Sequence, residues 1–206
     1  MRRYGVKRII CELKDLKAKY GLEFFKFHDE DFLMRPVNDL AELSEAYKSE
    51  IGLPFVIETN PKSVTAEKVR LLKDMNCVSA TLGIETGDLK LRKDLLKRVD
   101  TDEDIRRAFS LLKDSDVRTS SFNLLGIPGE SRDTYESTVA LNKGSGVQYP
   151  NIGFFYPFEG TELRDKAVSD GSFDPSAPEA SVYKRDIPAL NIEGLGRDEL
   201  VEMRNC

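Results

Sequence analysis

Cysteine and histidine are scarce in this sequence, which excludes two common ways of building a site. The 206 residues include three cysteines, Cys11, Cys77 and Cys206, an odd number at wide spacings. That distribution suits reduced thiols and matches neither a disulfide framework nor a zinc-ligand pattern. Cys77 opens an apolar run and is expected to act as a small buried hydrophobe. His28 is the single histidine, too few for a histidine-rich zinc site, and a structural or pocket-lining role is expected for it. Long hydrophobic runs are absent: none approaches the roughly 20 residues of a membrane span. The opening MRRYGVKRII leads into a charged helix rather than a signal-peptide core, so no membrane partner and a cytoplasmic compartment are expected. Positive charge is not in excess either. The formal net charge is −5, and lysines and arginines alternate with acids along the expected helices, so nucleic acid is not an expected partner. Neither the dinucleotide nor the P-loop glycine spacing occurs, and the glycines of GIPGE are expected to serve a sharp turn and close backbone approach.

What remains is the composition of an ordinary globular protein, 40% apolar and 33% charged. Its organising stretch is CVSATLGIETG, residues 77–87, which alternates like a buried strand and stops on Glu85 between two glycines. Four other segments read as strands: 22–28, 53–59, 117–126 and 149–157. Between them lie helical patterns at 6–20, at 38–50 with Asn38 or Asp39 as cap, from Thr65 to 75, at 89–98, at 101–114 and at 131–143. A short helix follows FEGTEL. Strand and helix alternate five times, which predicts a parallel sheet with right-handed crossovers. From Ser169, Gly171, Pro175, Pro178 and Pro188 break the periodicity, and an irregular tail is expected to lie over the core, ending in a helix begun by GRDELVEMRNC.

The expected strands end on polar residues: Asp29, Glu30 and Asp31; Glu58 and Asn60; Glu85; Asn123; Glu159 with Thr161. In parallel α/β folds that end of the sheet binds ligands, and these side chains are expected to form a polar, mostly acidic pocket for a cationic or hydroxyl-rich ligand. Any one such acid more commonly caps the following helix, and Asp31 and Glu58 are assigned that plainer role.

The motifs FKFHDEDF (25–32), VSATLGIETG (78–87), LLKR (95–98), NLLGIPGE (123–130) and YPFEGTEL (156–163) resemble, in order and spacing, the core of radical S-adenosylmethionine enzymes. The branch that often carries an N-terminal cobalamin-binding domain is the most similar. The resemblance spans roughly residues 5–170. It implies an α/β fold: a partial (β/α)6 TIM-like barrel over 1–168, with about five parallel strands and outer helices, followed by an irregular and truncated C-terminal extension over 169–206. It also implies S-adenosylmethionine, a [4Fe-4S] cluster in the full-length enzyme, and cobalamin through a domain that this chain lacks. The chemistry implied is reductive cleavage to a 5′-deoxyadenosyl radical, or methyl transfer, with a reductant protein and a small-molecule substrate that the sequence does not identify.

By position in the resemblance, Asp29 and Glu30 lie near the methionine end of the cofactor. Glu85 reaches toward its ribose or amino group, Arg98 toward its carboxylate, and Asn123, with the backbone around Leu125 and Gly126, flanks the adenosine. The family's C-x-x-x-C-x-x-C cluster motif is absent, and Glu159 stands where the family often has proline. The chain is therefore expected to be the carboxyl-terminal part of such an enzyme and inactive by itself. Two other readings stay open: a non-catalytic barrel that binds S-adenosylmethionine or a partner chain, and a Mg- or Mn-dependent barrel enzyme using Asp29, Glu30 and Glu85 as oxygen ligands.

Overall fold

The computed structural model describes residues 4–176 and 187–205; Pro178 and Cys206 lie outside them. The strands are β1 (Phe25–Lys26), β2 (Phe55–Thr59), β3 (Cys77–Glu85), β4 (Arg118–Leu125) and β5 (Tyr149–Phe154), and they form one sheet in that order. The helices are α1 (Val6–Tyr20), α2 (Val37–Glu50), α3 (Ala66–Asp74), α4 (Asp102–Asp114), α5 (Arg132–Gly144), α6 (Glu162–Ser169) and α7 (Arg197–Asn205). The fold is α/β, with five parallel strands and the helices of a partial TIM-like barrel. Sequential order in a parallel sheet follows from successive crossovers, each long enough to carry a helix.

Several boundaries follow directly from local chemistry. α1 covers the predicted 6–20 and stops at Gly21, whose φ of 61° and N–H bond to the Lys17 carbonyl make a left-handed cap. Thr65 caps α3 by accepting from the Lys68 N–H. Two edges are shorter than the apolar patterns predict. β2 begins at Phe55 rather than 53, because Pro54 has no N–H to give the ladder. Its carbonyl still accepts from Phe25 N–H at 3.1 Å, and β1 is correspondingly brief. α2 begins at Val37 after Pro36, so Asn38 and Asp39 fall inside the helix and neither caps it. The segment predicted as a helix over 89–98 is tighter in extent and wider in pitch, a π turn over Leu91–Leu95.

The chain divides into two compact units, and β3 and β4 each contribute to both. The first contains residues 1–83, 103–121 and 145–149. Its core gathers Leu40, Leu43 and Tyr47 of α2, Phe55 and Ile57 of β2, Val69 and Leu72 of α3, and Ala80 and Leu82 of β3, all nearly or fully buried. Phe27, Phe32, Tyr47 and Phe55 pack ring to ring with centroids 5.0–6.3 Å apart, in tilted or edge-on contacts that aromatic quadrupoles favour. The other face of these strands is more polar: Lys26 pairs with Glu58 at 3.0 Å, and the hydroxyls of Thr81 and Ser120 meet at 2.6 Å.

The second unit contains residues 84–102, 122–144 and 150–206. Leu125, Ile127, Phe154 and Ala167 form its core together with Leu190, Ile192, Leu195, Leu200 and Met203, so the described part of the C-terminal segment packs into this cluster.

Candidate functional site

The carboxyl end of β3 belongs to the second unit. Glu85, its last residue, has φ at 65°, a left-handed conformation uncommon outside glycine and a mark of a backbone held in place by its surroundings. Gly87 follows and fits where nothing larger does: a Cβ there would lie 2.2 Å from the Ser137 carbonyl oxygen of α5. Its N–H donates to the Thr138 hydroxyl at 2.8 Å. The loop that Glu85 opens is therefore seated directly on α5.

Glu85 and Arg98 meet across this loop, Nη2 to Oε1 at 3.0 Å, with 16% and 28% of their side-chain surfaces exposed. Burial pushes the Glu85 carboxyl above its ordinary value, and the Arg98 guanidinium pulls part of the way back. A largely buried carboxylate beside a partly exposed guanidinium is a dipolar pair suited to a ligand with both an ammonium and a carboxylate.

Leu125 is fully buried at the end of β4, and its carbonyl accepts from Phe155 N–H at 2.8 Å. Gly126 follows with φ at 79°, the sharp turn expected of GIPGE. This turn is held by Glu130, which the sequence reading treats only as part of an exit turn. Its Oε2 accepts from the Gly126 N–H and, at 3.3 Å, from the Ile127 N–H, while its Oε1 is buried with no partner. Burial raises the Glu130 carboxyl to about 7, against the opposing pull of the two N–H groups.

Asn123 sits on the buried alternation of β4. It donates to the Asn151 carbonyl at 3.1 Å, and its side-chain oxygen accepts from Asn142 of α5 at 2.8 Å. Its amide is thus engaged with a helix and a neighbouring strand.

In the first unit, Asp29 and Glu30 are exposed in the turn after β1. Asp31 is the one tied down, accepting from the Thr59 hydroxyl at 2.6 Å, the Asn60 N–H at 3.3 Å and the Ser63 hydroxyl at 2.5 Å. Its carboxylate fastens the ends of β1 and β2 and does not cap the short turn that follows at Phe32–Met34, so the capping role expected for it is replaced by a tie between strand ends. Thr161 caps α6, and Glu159 is mostly exposed, 3.8 Å from Arg164. His28 is exposed. Among the described residues no three or more histidine, cysteine, aspartate or glutamate side chains are grouped to hold a metal ion, and the divalent-metal reading of Asp29, Glu30 and Glu85 finds no such cluster to rest on. No helix among them is long and apolar enough to cross a membrane.

Five parallel strands alternating with helices define an α/β protein of the barrel type, a class in which ligands bind at the carboxyl ends of the strands. The chain belongs to the Radical SAM superfamily, whose family model matches residues 2–141. It is 23% identical over 214 residues to the cytidylyl-2-hydroxyethylphosphonate methyltransferase of Streptomyces wedmorensis, covering 98% of this chain and 39% of that protein. It is 22% identical over 159 residues to the anaerobic magnesium-protoporphyrin IX monomethyl ester cyclase of Rubrivivax gelatinosus, covering 76% of this chain and 28% of that protein. Its fold is similar to that of the radical S-adenosylmethionine methyltransferase TsrM from Kitasatospora setae, with a TM-score of 0.67, 19% identity, and coverage of 84% of this chain and 33% of that one. The chain thus spans well under half the length of these relatives.

Proposed function

We propose that the loop after β3 and the turn after β4 bind S-adenosylmethionine within a larger radical enzyme whose reaction is methyl transfer. The observation that carries this reading is the Glu85–Arg98 pair at the carboxyl end of β3. Glu85 accepts from the cofactor's ammonium or ribose hydroxyls, Arg98 holds its carboxylate, and the Leu125 and Gly126 backbone flanks its adenosine. Methyltransferases among the relatives, one from Streptomyces wedmorensis and an uncharacterised one from Pyrococcus horikoshii, support the reaction class. Asp29 and Glu30, exposed in their own unit, are assigned to the methionine end by resemblance alone.

When bound, the cofactor supplies a methyl group or the means of abstracting a hydrogen atom. The protein's part is to orient it: a carboxylate poised by burial and a guanidinium hold the two charged ends of an amino acid in a fixed sense. The described residues do not fit the iron–sulfur cluster of the family. Cys77 is buried at the start of β3, and among the described residues no three or more cysteine, histidine, aspartate or glutamate side chains are grouped, whereas the family's cluster takes its cysteines from one C-x-x-x-C-x-x-C loop. Cys11 is exposed on α1. In this reading the cluster, the reductant, cobalamin and the substrate are held by the larger enzyme.

Calorimetric titration of the 206-residue chain with S-adenosylmethionine tests the reading. Loss of one charge-assisted hydrogen bond costs about 1.5–3 kcal/mol, so Glu85→Gln is expected to weaken binding by roughly 10- to 100-fold. Equal affinity of the variant and the parent chain would show that Glu85 is not a ligand.

A further inference from the structure

Arg92 has no exposed side-chain surface, although its segment, LRKDLLKR, carries three other basic residues, Lys93, Lys97 and Arg98. Its donors are all directed into the β3–α4 loop. Nε donates to the Thr86 carbonyl at 3.1 Å and Nη1 to the Asp100 carbonyl at 3.1 Å; Nη2 donates to the Gly87 carbonyl at 3.3 Å and to the Asp102 carboxylate at 2.6 Å. Thr86 and Gly87 directly follow Glu85, while Asp100 and Asp102 follow Arg98. One guanidinium therefore joins the backbone just beyond each member of the ion pair.

The turn that carries Arg92 is shaped to the same end. The Leu96 N–H reaches back to the Leu91 carbonyl at 3.0 Å, the Arg98 N–H reaches the Arg92 carbonyl at 2.9 Å, and Lys97 has φ at 55°. Such widened turns and left-handed residues are unfavourable unless other contacts hold them. Removing a guanidinium from water also costs several kcal/mol, and a leucine or methionine would fill space more cheaply. What arginine adds is a rigid planar fork that holds two stretches of backbone at one spacing.

We propose that Arg92 is a positioning residue of this site, clamping the backbone beyond Glu85 to the backbone beyond Arg98 and thereby setting the geometry of their ion pair. The bearing of that pair on cofactor binding rests on the function proposed above; the clamp itself can be tested without it.

The measurement is the titration midpoint of the Glu85 side-chain carboxyl by carbon NMR in the 206-residue chain, assigned with Glu85→Gln. Arg92→Lys keeps the positive charge but loses the fork, so its direct electrostatic effect on Glu85 is small. With Arg98 released, the midpoint is expected to rise by about one pH unit. In an Arg98→Gln background the same substitution is expected to leave it unmoved. A loss of thermal stability with Glu85 unchanged, or an equal shift with and without Arg98, would overturn the proposal, since a merely structural Arg92 acts that way. If Arg92→Lys does not fold, Asp102→Asn takes its place. Losing one negative charge by itself lowers the Glu85 midpoint, so a rise supports the clamp, and a fall or no change overturns it. Titration of the same samples with S-adenosylmethionine keeps the two readings apart. A chain that binds none of it, yet shows the coupling, counts against the proposed function and in favour of the clamp.

Discussion

Gly87 and Ser137 touch backbone to backbone: the Cβ of any other residue at 87 would lie 2.2 Å from the Ser137 carbonyl oxygen. Neither atom is the far end of a flexible side chain, so the contact can be relieved only by moving the loop or α5. Gly87→Ala is expected to destabilise the chain by about 3 kcal/mol, the upper range for overpacking a tight site. Urea unfolding of the two proteins measures it, and a difference under about 0.5 kcal/mol, the scatter of an ordinary surface substitution, would mean the loop yields easily.

Glu130 predicts an unusual pH dependence. Its folded pKa, about 7, stands above an ordinary value near 4.5, so the folded chain binds the proton more tightly than the unfolded chain. Its contribution to stability is present in full below pH 4.5 and is lost as pH rises through 7, by on the order of 3 kcal/mol. Glu85, also raised by burial, adds a slope of the same sign. In Glu130→Gln the decline between pH 5 and 8 is expected to flatten. Denaturation midpoints across that range decide it, and an unchanged slope would remove Glu130 as the source.

Three consecutive acids separate by partner. Asp31→Ala removes the acceptor of three hydrogen bonds and is expected to cost about 2–3 kcal/mol. Asp29→Ala and Glu30→Ala, at exposed positions, are expected to stay within about 0.5 kcal/mol. Thermal melts of the three variants suffice, and equal losses would contradict the assignment.

The two described cysteines differ in reactivity. Cys11 is exposed, whereas Cys77 is buried with its thiol pushed up to about 12. Iodoacetamide at pH 8 is expected to modify Cys11 in the folded chain and to reach Cys77 only in denaturant, because the thiolate is the nucleophile. Peptide mass mapping checks this, and labelling of Cys77 without denaturant would indicate local opening of β3.

Much of the architecture is visible in periodicity alone. The alternation of Val78, Ala80 and Leu82 marks β3, and α1 carries its own stop at Gly21, since both depend on residues near in sequence. Arg92 could not be singled out among Arg92, Lys93, Lys97 and Arg98, because what selects it is a set of carbonyls brought together only in the folded loop. Likewise nothing in DED distinguishes Asp31 from its neighbours until Thr59 and Ser63 arrive beside it. Asn123 was open to a closer reading: it shares strand parity with Leu125 and so faces the buried side with it, toward α5.

Asn123 and Asn142 each rely on the other. The Asn142 amide gives one hydrogen to the Asn123 oxygen and another to the Thr138 carbonyl one turn back, both at 2.8 Å. Sliding α5 by a single residue along β4 would break the Asn142–Asn123 hydrogen bond at a buried position, a penalty of about 1–3 kcal/mol. The pair thus indexes the helix against the strand. In related sequences these two positions are expected to change together or not at all.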